Sequence, residues 1–573
     1  MAANLGKTTK PAWLLRRIII MTLSGVGRLD ARSAGLGAVA GVLAAGVALG
    51  VGQFVAGLTG ASGSPVVVVG ELQIDFTPPW LKNFAITEFG ADDKLVLVTG
   101  IVVVLGAFAA LVGAAATRRM AYGMAGIAVF AAVGLTAAAT RPDATVASLL
   151  PTLAATASAV AVLHVLIPLA RPPARPVARA VSYDPVTGPA EPETGLAETG
   201  LAETGLAETG EPGLTAAEGP PRRSFLAAGA VAAGIGAGAG LAGRLLTERG
   251  SVARAQKSLR IPKPAVTTQA LPPGVDLNIP GLAPFITPNA KFYRVDTALV
   301  LPQVDPSAWQ LRIHGMVNRE ITLTFDQLIK RPLIEDYITL CCVSNPVDGP
   351  YIGNAKWLGA SLAALLKEAG IRAGADQLLC TSVDGFTSGT PVQTVMDGRD
   401  ALLAVAMNGQ PLPIAHGFPA RMVVPGLYGY VSATKWVTDI EVTTFAGNYA
   451  YWAQRGWSQR APIKTECRID VPNGLKEIKA GRAVVAGVAW AQHKGIEAVE
   501  VRVDRGPWQE ARLAAVPGLD TWRQWVWEWD ATTGGHVLEA RATDKTGYTQ
   551  TSALAPPEPN GATGYPMVSV PVR

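Results

Sequence analysis

The stretch TLCCVSNPVDGPYIGNAKWLGASLAALLKEAG, residues 339–370, decides the fold of the central part of this chain. An apolar, β-like run ends at two adjacent cysteines, Cys341 and Cys342. A loop of Ser, Asn, Pro and Gly follows, and an apolar helix pattern then runs over 359–370, with Gly370 as its stop. A sulfur at a strand end is held rigidly, while the loop after it is free to reach over a bound group.

Length and composition narrow the class of protein. The 573 residues predict several domains, and the combination of 49% hydrophobic with 16% charged residues indicates a membrane part. A net charge of +5 is modest for this length, so we expect no nucleic acid partner. The 4 cysteines show no zinc-type spacing, and no phosphate-loop motif is present.

Charged residues are absent from five long stretches in the first part of the chain. A membrane-spanning helix needs roughly 20 apolar residues, and helices of soluble proteins rarely run that long without a charge. We therefore predict a four-helix transmembrane region over 1–170 and a fifth span after it. The five spans are predicted near 34–58, 95–117, 120–140, 146–169 and 224–243.

The distribution of Lys and Arg predicts the orientation of these helices. Six basic residues precede the first span, which places the N-terminus inside. The next loop is acidic and suits the outside, and Arg118 and Arg119 return the chain to the inside. The sequence thus predicts a multi-pass protein of the cell membrane, with everything after about residue 250 on the extracytoplasmic side.

Residues 171–223 have the composition of a linker. They contain GLAETGLAETGLAETG, a five-residue repeat that starts at Gly195, and Pro, Gly and acidic residues dominate. Such a segment cannot form an apolar face, so we predict a disordered cytoplasmic linker.

The linker ends in PRRSFL, where Arg222 and Arg223 open a weakly apolar segment. This resembles a twin-arginine export signal, here internal. Twin-arginine export carries folded proteins, which suits a protein whose cofactor is inserted in the cytoplasm. The alternative is an ordinary span whose arginines only set its orientation. Either way, we predict that 224–250 forms the signal or the fifth helix.

The exported half divides into two soluble domains. Strand and helix patterns alternate over 260–455, for example the strand pattern WQLRIHGMV at 309–317. From 462 to 573 the pattern is all-β: EAVEVRV alternates, and WRQWVWEW places three tryptophans on one face. This pattern predicts an immunoglobulin-like β-sandwich that is held by packing, since it lacks the cysteine pair of antibody domains.

The quoted motif resembles the sulfite oxidase superfamily of molybdopterin enzymes. That family has one strand-end cysteine, a polar pair, a Gly-rich loop, Asn-Ala-x-Trp-x-Gly and an amphipathic helix. The stretches ITPNAKFYRVDTALVLP (286–302) and 397–442 also resemble the family, in order and at plausible spacing. The resemblance implies an α+β molybdopterin-binding domain over 260–455, and a C-terminal domain of a kind through which two copies often pair.

In that family the cysteine thiolate binds molybdenum, and the resemblance places this role on Cys342. A soft, deprotonated sulfur suits a metal that cycles between oxidation states. Successive strand residues point to opposite faces, so Cys341 is expected to face the core. Cys380 and Cys467 are expected to be packing thiols, although a disulfide outside the cell is an open alternative.

The resemblance also implies contacts to the pterin, whose phosphate needs cationic and amide donors. The second half of the motif set supplies His416, Arg421, Ser432 and Lys435. The family commonly has one residue between that Ser and Lys, whereas two intervene here, which weakens the assignment of the Ser. The remaining candidates are Tyr293 and Arg294, also as catalytic residues, with Asp296, Thr297 and Asp384. For each of them, a surface ion pair or a capping role is the alternative.

We therefore expect an enzyme: a membrane-anchored molybdenum–molybdopterin oxidoreductase acting on a small-molecule substrate such as sulfite. No haem is expected, because His164 alone of the 5 histidines lies in a predicted span. Electrons would then leave to a separate electron-transfer partner. The alternatives are a reductase like the family's periplasmic methionine-sulfoxide reductases, and a membrane-anchored scaffold that has lost its cofactor.

Overall fold

This computed structural model describes residues 31–59, 63–78, 93–141, 144–171, 222–248, 251–474 and 477–573. Nearly all of the predicted linker lies outside the described residues. The chain forms two compact units. One comprises Met1–Gly50, Val102–Ala131 and Ala155–Ala239, and the other comprises Val51–Ile101, Ala132–Ala154 and Gly240–Arg573.

Apolar helices make up the N-terminal part of the described chain. Five of them are long and apolar enough to cross a membrane, at the predicted positions. A further helix of 12 residues, α2, was not predicted, because it is shorter than a span and carries Glu71 and Asp75. The helices are α1 Ala31–Thr59, α2 Pro65–Phe76, α3 Asp93–Arg118, α4 Met120–Ala139, α5 Val146–Ala170 and α6 Arg222–Glu248.

Small residues let the helices of the first unit approach closely. A Cβ atom added to Gly41 of α1 would lie 2.0 Å from the carbonyl oxygen of Ala109 in α3, so the two backbones are in contact there. Valines and leucines on the outer surface remain exposed, for example Leu111 at 69%. An outer surface of this kind suits lipid rather than water.

The central domain is built on two sheets. One has the strand order β2-β1-β10-β5-β6, and the other has the order β3-β4-β7-β8, with β9 also paired to β7. The strands are β1 Gln310–Gly315, β2 Ile321–Thr324, β3 Leu333–Cys341, β4 Ile352–Ser361, β5 Gln377–Ser382, β6 Thr387–Pro391, β7 Leu402–Met407, β8 Gln410–Pro411, β9 Arg421–Val423 and β10 Val437–Thr443. The helices are α7 Ser251–Ser258, α8 Phe325–Ile329, α9 Leu362–Ala369, α10 Val392–Met396 and α11 Gly429–Ser432.

The strand, the loop and a helix that ends at Gly370 are present as predicted from the quoted motif, but the helix begins at Leu362 rather than at residue 359, because residues 359–361 end strand β4, which was not predicted. Helix α9 begins where the Ser361 hydroxyl accepts a hydrogen bond from the N–H of Ala364, at 3.2 Å. It ends at Gly370, whose φ of +72° is the left-handed conformation that favours glycine. The apolar face, which includes Leu362 and Leu366, is buried in the core of the domain.

The C-terminal domain is all-β, as predicted, and consists of two antiparallel sheets with a shared core. The sheets have the strand orders β11-β12-β16-β15 and β14-β13-β17-β18. Val499, Val501, Trp525 and Trp529 pack in that core, which confirms the predicted faces. The strands are β11 Glu466–Val471, β12 Gly481–Trp490, β13 Ile496–Val503, β14 Gln509–Glu510, β15 Arg512–Leu513, β16 Arg523–Ala531, β17 Gly534–Asp544 and β18 Met567–Val572.

The C-terminal domain holds the strand that carries the cysteines. The N–H of Thr339 in β3 donates to the carbonyl of Asp520 at 2.9 Å, and the Thr339 hydroxyl accepts from the N–H of Trp522 at 2.7 Å. Trp522 and Trp490 lie in the same hydrophobic core as Cys341. All four cysteines are buried free thiols, so the predicted packing thiols are confirmed and no disulfide forms.

A buried carboxyl group lies at this junction. Glu466, the first residue of β11, is 5% exposed, and its Oε1 has no hydrogen-bond partner among the described residues. Burial raises the pKa of Glu466 to about 8, against a partial opposing effect of Lys464. A neutral carboxylic acid is therefore the form that the folded protein prefers.

We predict that Glu466 makes stability fall as the pH rises. Because its folded pKa lies above the unfolded value of 4.5, its stabilising contribution is complete below about pH 4.5 and is lost as the pH rises through about 8. Glu466→Gln should remove this loss, on the order of 4 kcal/mol at pH 9 from the pKa difference. Thermal unfolding of the full chain in detergent at pH 5 and pH 9 measures it. Glu497→Gln, at an exposed position, is the control, and an equal pH dependence in all three proteins would contradict the assignment.

Candidate active site

The loop after β3 presents Cys342. Its N–H donates to the carbonyl of Tyr351 at 2.9 Å, and its carbonyl accepts from the N–H of Asn345 at 3.1 Å. The Asn345 side-chain oxygen in turn accepts from the N–H of Tyr351 at 2.7 Å. These bonds close the loop on itself, so the position of Cys342 is set by backbone atoms rather than by flexible side chains.

The two adjacent sulfurs have different surroundings. Burial raises the pKa of Cys342, but the N–H and hydroxyl of Ser344, the N–H of Val343 and the charge of Lys435 all lower it. Burial raises the pKa of Cys341 much further, and the carboxyl group of Glu466 raises it more. The pKa of Cys342 thus stays above its usual value, but hydrogen-bond donors and the charge of Lys435 offset part of the effect of burial, whereas at Cys341 burial and Glu466 act in the same direction.

Tyr293 joins the first predicted segment to this loop. Burial raises the pKa of its phenol well above the usual value. The nearby Cys342 and Cys341 raise it further, whereas the charge of Arg421 lowers it. The ring stacks on Phe292 with the ring centres 5.3 Å apart. The structure thus brings Tyr293 next to the cysteines, 48 or more positions away in sequence.

Arg421 is a buried cation without an acidic partner among the described residues. Its guanidinium donates to the carbonyls of His416, Ala433 and Met422 at 3.1, 3.2 and 3.3 Å. Burial lowers the pKa of Arg421 to about 10, so it remains charged at neutral pH. A buried positive charge that is balanced only by carbonyl dipoles is a binding position for an anion.

His416 lies beside Arg421 in the short helix Ile414–His416. Its Nε2 is 3.2 Å from the carbonyl oxygen of Asn289, and its ring contacts Phe292 edge-on. Burial, then the charge of Arg421, lower the pKa of His416 to about 4. The imidazole is therefore neutral, with Nε2 as the donor to Asn289.

Lys435, Asp296 and Arg294 form an ion-pair chain at the edge of the site. The Lys435 ammonium is 2.6 Å from Asp296 Oδ2, and Arg294 Nε is 2.9 Å from the same oxygen. Burial lowers the pKa of Lys435 to about 8, although Asp296 opposes that shift. These ion pairs connect the 286–302 segment to the segment after α11.

The remaining candidates lie at different distances from this cluster. Ser432 is fully buried, and its hydroxyl donates back to the carbonyls of Leu427 and Tyr428 at 3.0 and 3.1 Å. Asp384 lies in the β5–β6 turn and accepts from the N–H of Phe386 at 3.2 Å. Thr297 directly follows Asp296. Ser432 is thus engaged by the carbonyls just before its own helix, Thr297 adjoins Asp296, and Val383 beside Asp384 donates from its N–H to the carbonyl of Trp436 at 3.0 Å.

Two residues at the site were not assigned from the sequence. The side-chain nitrogen of Asn345 is buried without a hydrogen-bond partner among the described residues. Trp436 adopts a φ of +50°, which is rare for an aromatic residue, and donates from its indole N–H to the carbonyl of Ile414 at 3.0 Å. Asn345 stands in the quoted motif and could have been assigned from it, whereas no sequence signal indicates a strained Trp436.

These residues fit a metal–pterin cofactor. A buried sulfur surrounded by donors, an unpartnered amide nitrogen and a buried unpaired guanidinium are each costly unless a ligand satisfies them. Among the residues described, no cluster of three His, Cys, Asp or Glu side chains could hold a metal by itself. One thiolate beside several cations therefore suits a metal whose other ligands come from an anionic cofactor.

Residues 298–452 match the family described as the oxidoreductase molybdopterin binding domain. The uncharacterized oxidoreductase YuiH of Bacillus subtilis is 30% identical over 156 residues, which cover 27% of this chain and 75% of YuiH. The chain belongs to the sulfite oxidase superfamily of molybdopterin-dependent oxidoreductases. The resemblance stated from the cysteine motif is thereby confirmed.

Two further proteins are similar to this superfamily member over part of their length. Rat mitochondrial sulfite oxidase is 29% identical over 288 residues, 43% of this chain and 52% of that protein. The chain thus spans about half the length of the mammalian sulfite oxidases that it matches. The crystal structure of the sulfane dehydrogenase SoxCD from Paracoccus pantotrophus aligns with a TM-score of 0.42 and 25% identity, over 47% of this chain and 75% of that one.

The family match in this oxidoreductase begins at residue 298, after Tyr293, Arg294 and Asp296. It includes Cys342 and the cluster around Arg421. The place of the earlier three at the site therefore follows from their contacts in the structure.

We predict that Arg421→Lys destabilises the superfamily domain. A lysine cannot make the three carbonyl hydrogen bonds of the guanidinium, so the free energy of unfolding should fall by about 1.5–3 kcal/mol. Denaturant unfolding of the full chain in detergent, followed by tryptophan fluorescence, measures this change. Arg312→Lys, at a side chain that is 51% exposed, should stay within about 0.5 kcal/mol of the parent. If the Arg421→Lys protein unfolds with the same free energy as the parent, the three carbonyl hydrogen bonds do not stabilise the fold.

Proposed function

We propose that the protein is a membrane-anchored molybdenum oxidoreductase that transfers an oxygen atom to or from a small anionic substrate, with sulfite as the first candidate. The surroundings of Cys342 carry this proposal, because N–H groups of Ser344 and Val343 and the charge of Lys435 act on its buried sulfur and oppose the effect of burial on its pKa. A thiol that only packs in the core, such as Cys341, carries no negative charge and needs no such donors to stabilise it. The superfamily relatives that are named sulfite oxidases support the choice of substrate.

We assign the metal ligand to Cys342 and the pterin contacts to Arg421, His416 and Lys435, with Asn345 as an added amide donor. When bound, the cofactor supplies a two-electron oxygen-atom transfer. Three backbone carbonyls hold the guanidinium of Arg421 in place. An anion that binds to it is therefore held in one position. The self-bonded hydroxyl of Ser432 gives less support to its proposed pterin contact.

Tyr293 and Arg294 are the proposed substrate-binding residues. Because burial raises its pKa, the phenol of Tyr293 keeps its proton at neutral pH and can donate a hydrogen bond to an anionic oxygen. The Arg294 side chain is 38% exposed and brings positive charge to the edge of the site. Asp296 lies between Arg294 and Lys435 and holds both in place.

The overall reaction requires an electron acceptor. Oxidation of sulfite to sulfate takes one oxygen atom from water and releases two protons and two electrons. We propose a separate electron-transfer partner that receives these electrons. The five apolar helices support a membrane location, and the arginine pattern supports an extracytoplasmic site.

The domain boundaries also belong to this proposal. They are a transmembrane region over 1–170, a linker over 171–223, a signal or fifth helix over 224–250, a cofactor domain over 260–455 and an immunoglobulin-like domain over 462–573. The two four-stranded sheets around one core support the last of these, through which we propose that two copies pair.

We predict that purified full-length protein contains one molybdenum and one pterin per chain and oxidises sulfite with an artificial electron acceptor. Cys342→Ser should abolish turnover, because an alcohol replaces the thiolate. Cys341→Ala, the adjacent control, should retain much of it. Metal analysis and sulfite-dependent dye reduction measure both. A reversed pattern would overturn the ligand assignment, and activity only in the reductive direction, with a sulfoxide as acceptor, would overturn the oxidase.

We predict that replacing both Arg222 and Arg223 with lysine retains the cofactor domain in the cytoplasm. A pair of lysines satisfies the positive-inside rule, but a twin-arginine receptor reads the guanidinium groups themselves. A reporter fused after residue 300 measures the side of the membrane.

The matched control replaces Arg118 and Arg119, an adjacent pair at the end of α3, with lysine. This variant should export normally. Normal export of active enzyme by the Arg222 and Arg223 variant would show that PRRSFL only sets the orientation of its helix.

A further inference from the structure

The segment that carries Tyr293, Arg294 and Asp296 rests on a helix of the membrane region. Leu299, three residues after Asp296, packs against Gly70 of α2. A Cβ atom added to Gly70 would lie 2.6 Å from Leu299 Cδ1 and 3.6 Å from Ile101 Cδ1 of α3. A side chain at position 70 would therefore have to displace the end of the Leu299 side chain.

Helix α2 is itself held firmly. Val68 packs in a small core with Ala137 and Ala138 of α4. Glu71 forms an ion pair with Arg141, and the side chain of Arg141 is 10% exposed. Before the helix begins, the Ser64 hydroxyl donates to the Gln53 side chain at 2.7 Å. A larger side chain at position 70 would therefore push Leu299 rather than move α2.

A push on Leu299 reaches the site through a short and constrained piece of chain. At about 3.5 Å per residue, the three steps along the chain from Asp296 to Leu299 span at most about 10 Å. Ala298 between them is 4% exposed and so has little room to move. The ammonium group of Lys435 binds the same segment. It donates to Asp296 Oδ2 at 2.6 Å and to the carbonyl of Val295 at 3.3 Å.

We propose that α2 is a structural part of the active site and that Gly70 is a positioning residue for the Tyr293–Leu299 segment. The proposal rests on the proposed function, because it assigns substrate binding to Tyr293 and Arg294. The membrane region then does more than anchor the enzyme. It sets the placement of the substrate-binding residues relative to Cys342, and the site reaches its working geometry only when the helices are assembled.

The contact can be tested without activity. Gly70→Cys combined with Leu299→Cys should form a disulfide in the full chain in detergent under mild oxidation, because a Cβ at position 70 lies within contact of Leu299. Mass spectrometry of the linked peptides detects it. Gly100→Cys with Leu299→Cys is the matched control, because a Cβ on Gly100 has no atom within 4 Å. An absent link at 70–299, or equal linking of both pairs, would overturn the contact.

The positioning role predicts a graded effect of size at position 70. Gly70→Ala should be nearly neutral, since the methyl group of Leu299 can rotate away. Gly70→Leu should lower kcat/KM by about 10- to 100-fold, the range expected for a displacement of about 1 Å in an active site. Molybdenum content should stay at the parental value, because Cys342 and Arg421 lie on other segments. Gly100→Leu, on an exposed position of α3, should behave as the parent.

Leu299→Ala in the Gly70→Leu background separates positioning from damage to the helices. Removing the leucine methyl groups makes room for the new side chain and should restore much of kcat/KM. If Gly70→Leu does not insert into the membrane, Leu299→Ala alone tests whether the contact with α2 positions the substrate-binding segment. This variant should raise KM more than it lowers kcat. No rescue by the double variant, or full activity of Gly70→Leu, would overturn the proposal.

These outcomes are distinct from failure of the proposed function. A parent protein without molybdenum or turnover would contradict the proposed oxidoreductase, whatever the disulfide result. A parent that holds molybdenum and oxidises sulfite, together with an insensitive Gly70→Leu variant, would remove the role of α2 alone.

Discussion

The end of strand β3 is the constraint on which the rest of the structure depends. Side chains alternate along a strand, so the last strand residue, Cys341, is buried in the core, and the next residue emerges at the other side. The C-terminal domain fixes this strand through the hydrogen bonds of Thr339 to Asp520 and Trp522. The C-terminal domain therefore holds the strand that ends one residue before Cys342.

Electrostatics then distinguishes two sulfurs that the chain places side by side. Cys341 shares its apolar surroundings with Glu466, which burial keeps in its neutral form, so no cation is needed there. Cys342 faces N–H groups and Lys435. The site also contains a buried cation, Arg421, which pairs with no carboxylate among the described residues and is held by three carbonyls and the ring of Trp357. Such a site is preorganised for an anion, because the cations are already desolvated and fixed.

The attachment to the membrane region is equally specific. Helix α7 follows α6 closely, and its Val252 is 4% exposed and packs beside Phe292 and Trp357. Helix α7 thus contributes a side chain to the core of the cofactor domain. Leu299 on Gly70 adds a second contact, on the segment of the proposed substrate-binding residues.

The sequence by itself determined the features that depend on near neighbours: the charge-free spans, the end of α9 at Gly370 and the tryptophan face of β16. Each follows from a periodicity or a cap within a few residues. Only the tertiary structure decided which partners distant groups find. Lys435 meets Asp296 across 139 positions, Ser432 turns to its own helix, and α2 supports the site although its short, charged sequence resembles a loop. These outcomes depend on distances that packing sets, because a buried polar group bonds to whichever partner the fold brings within about 3 Å.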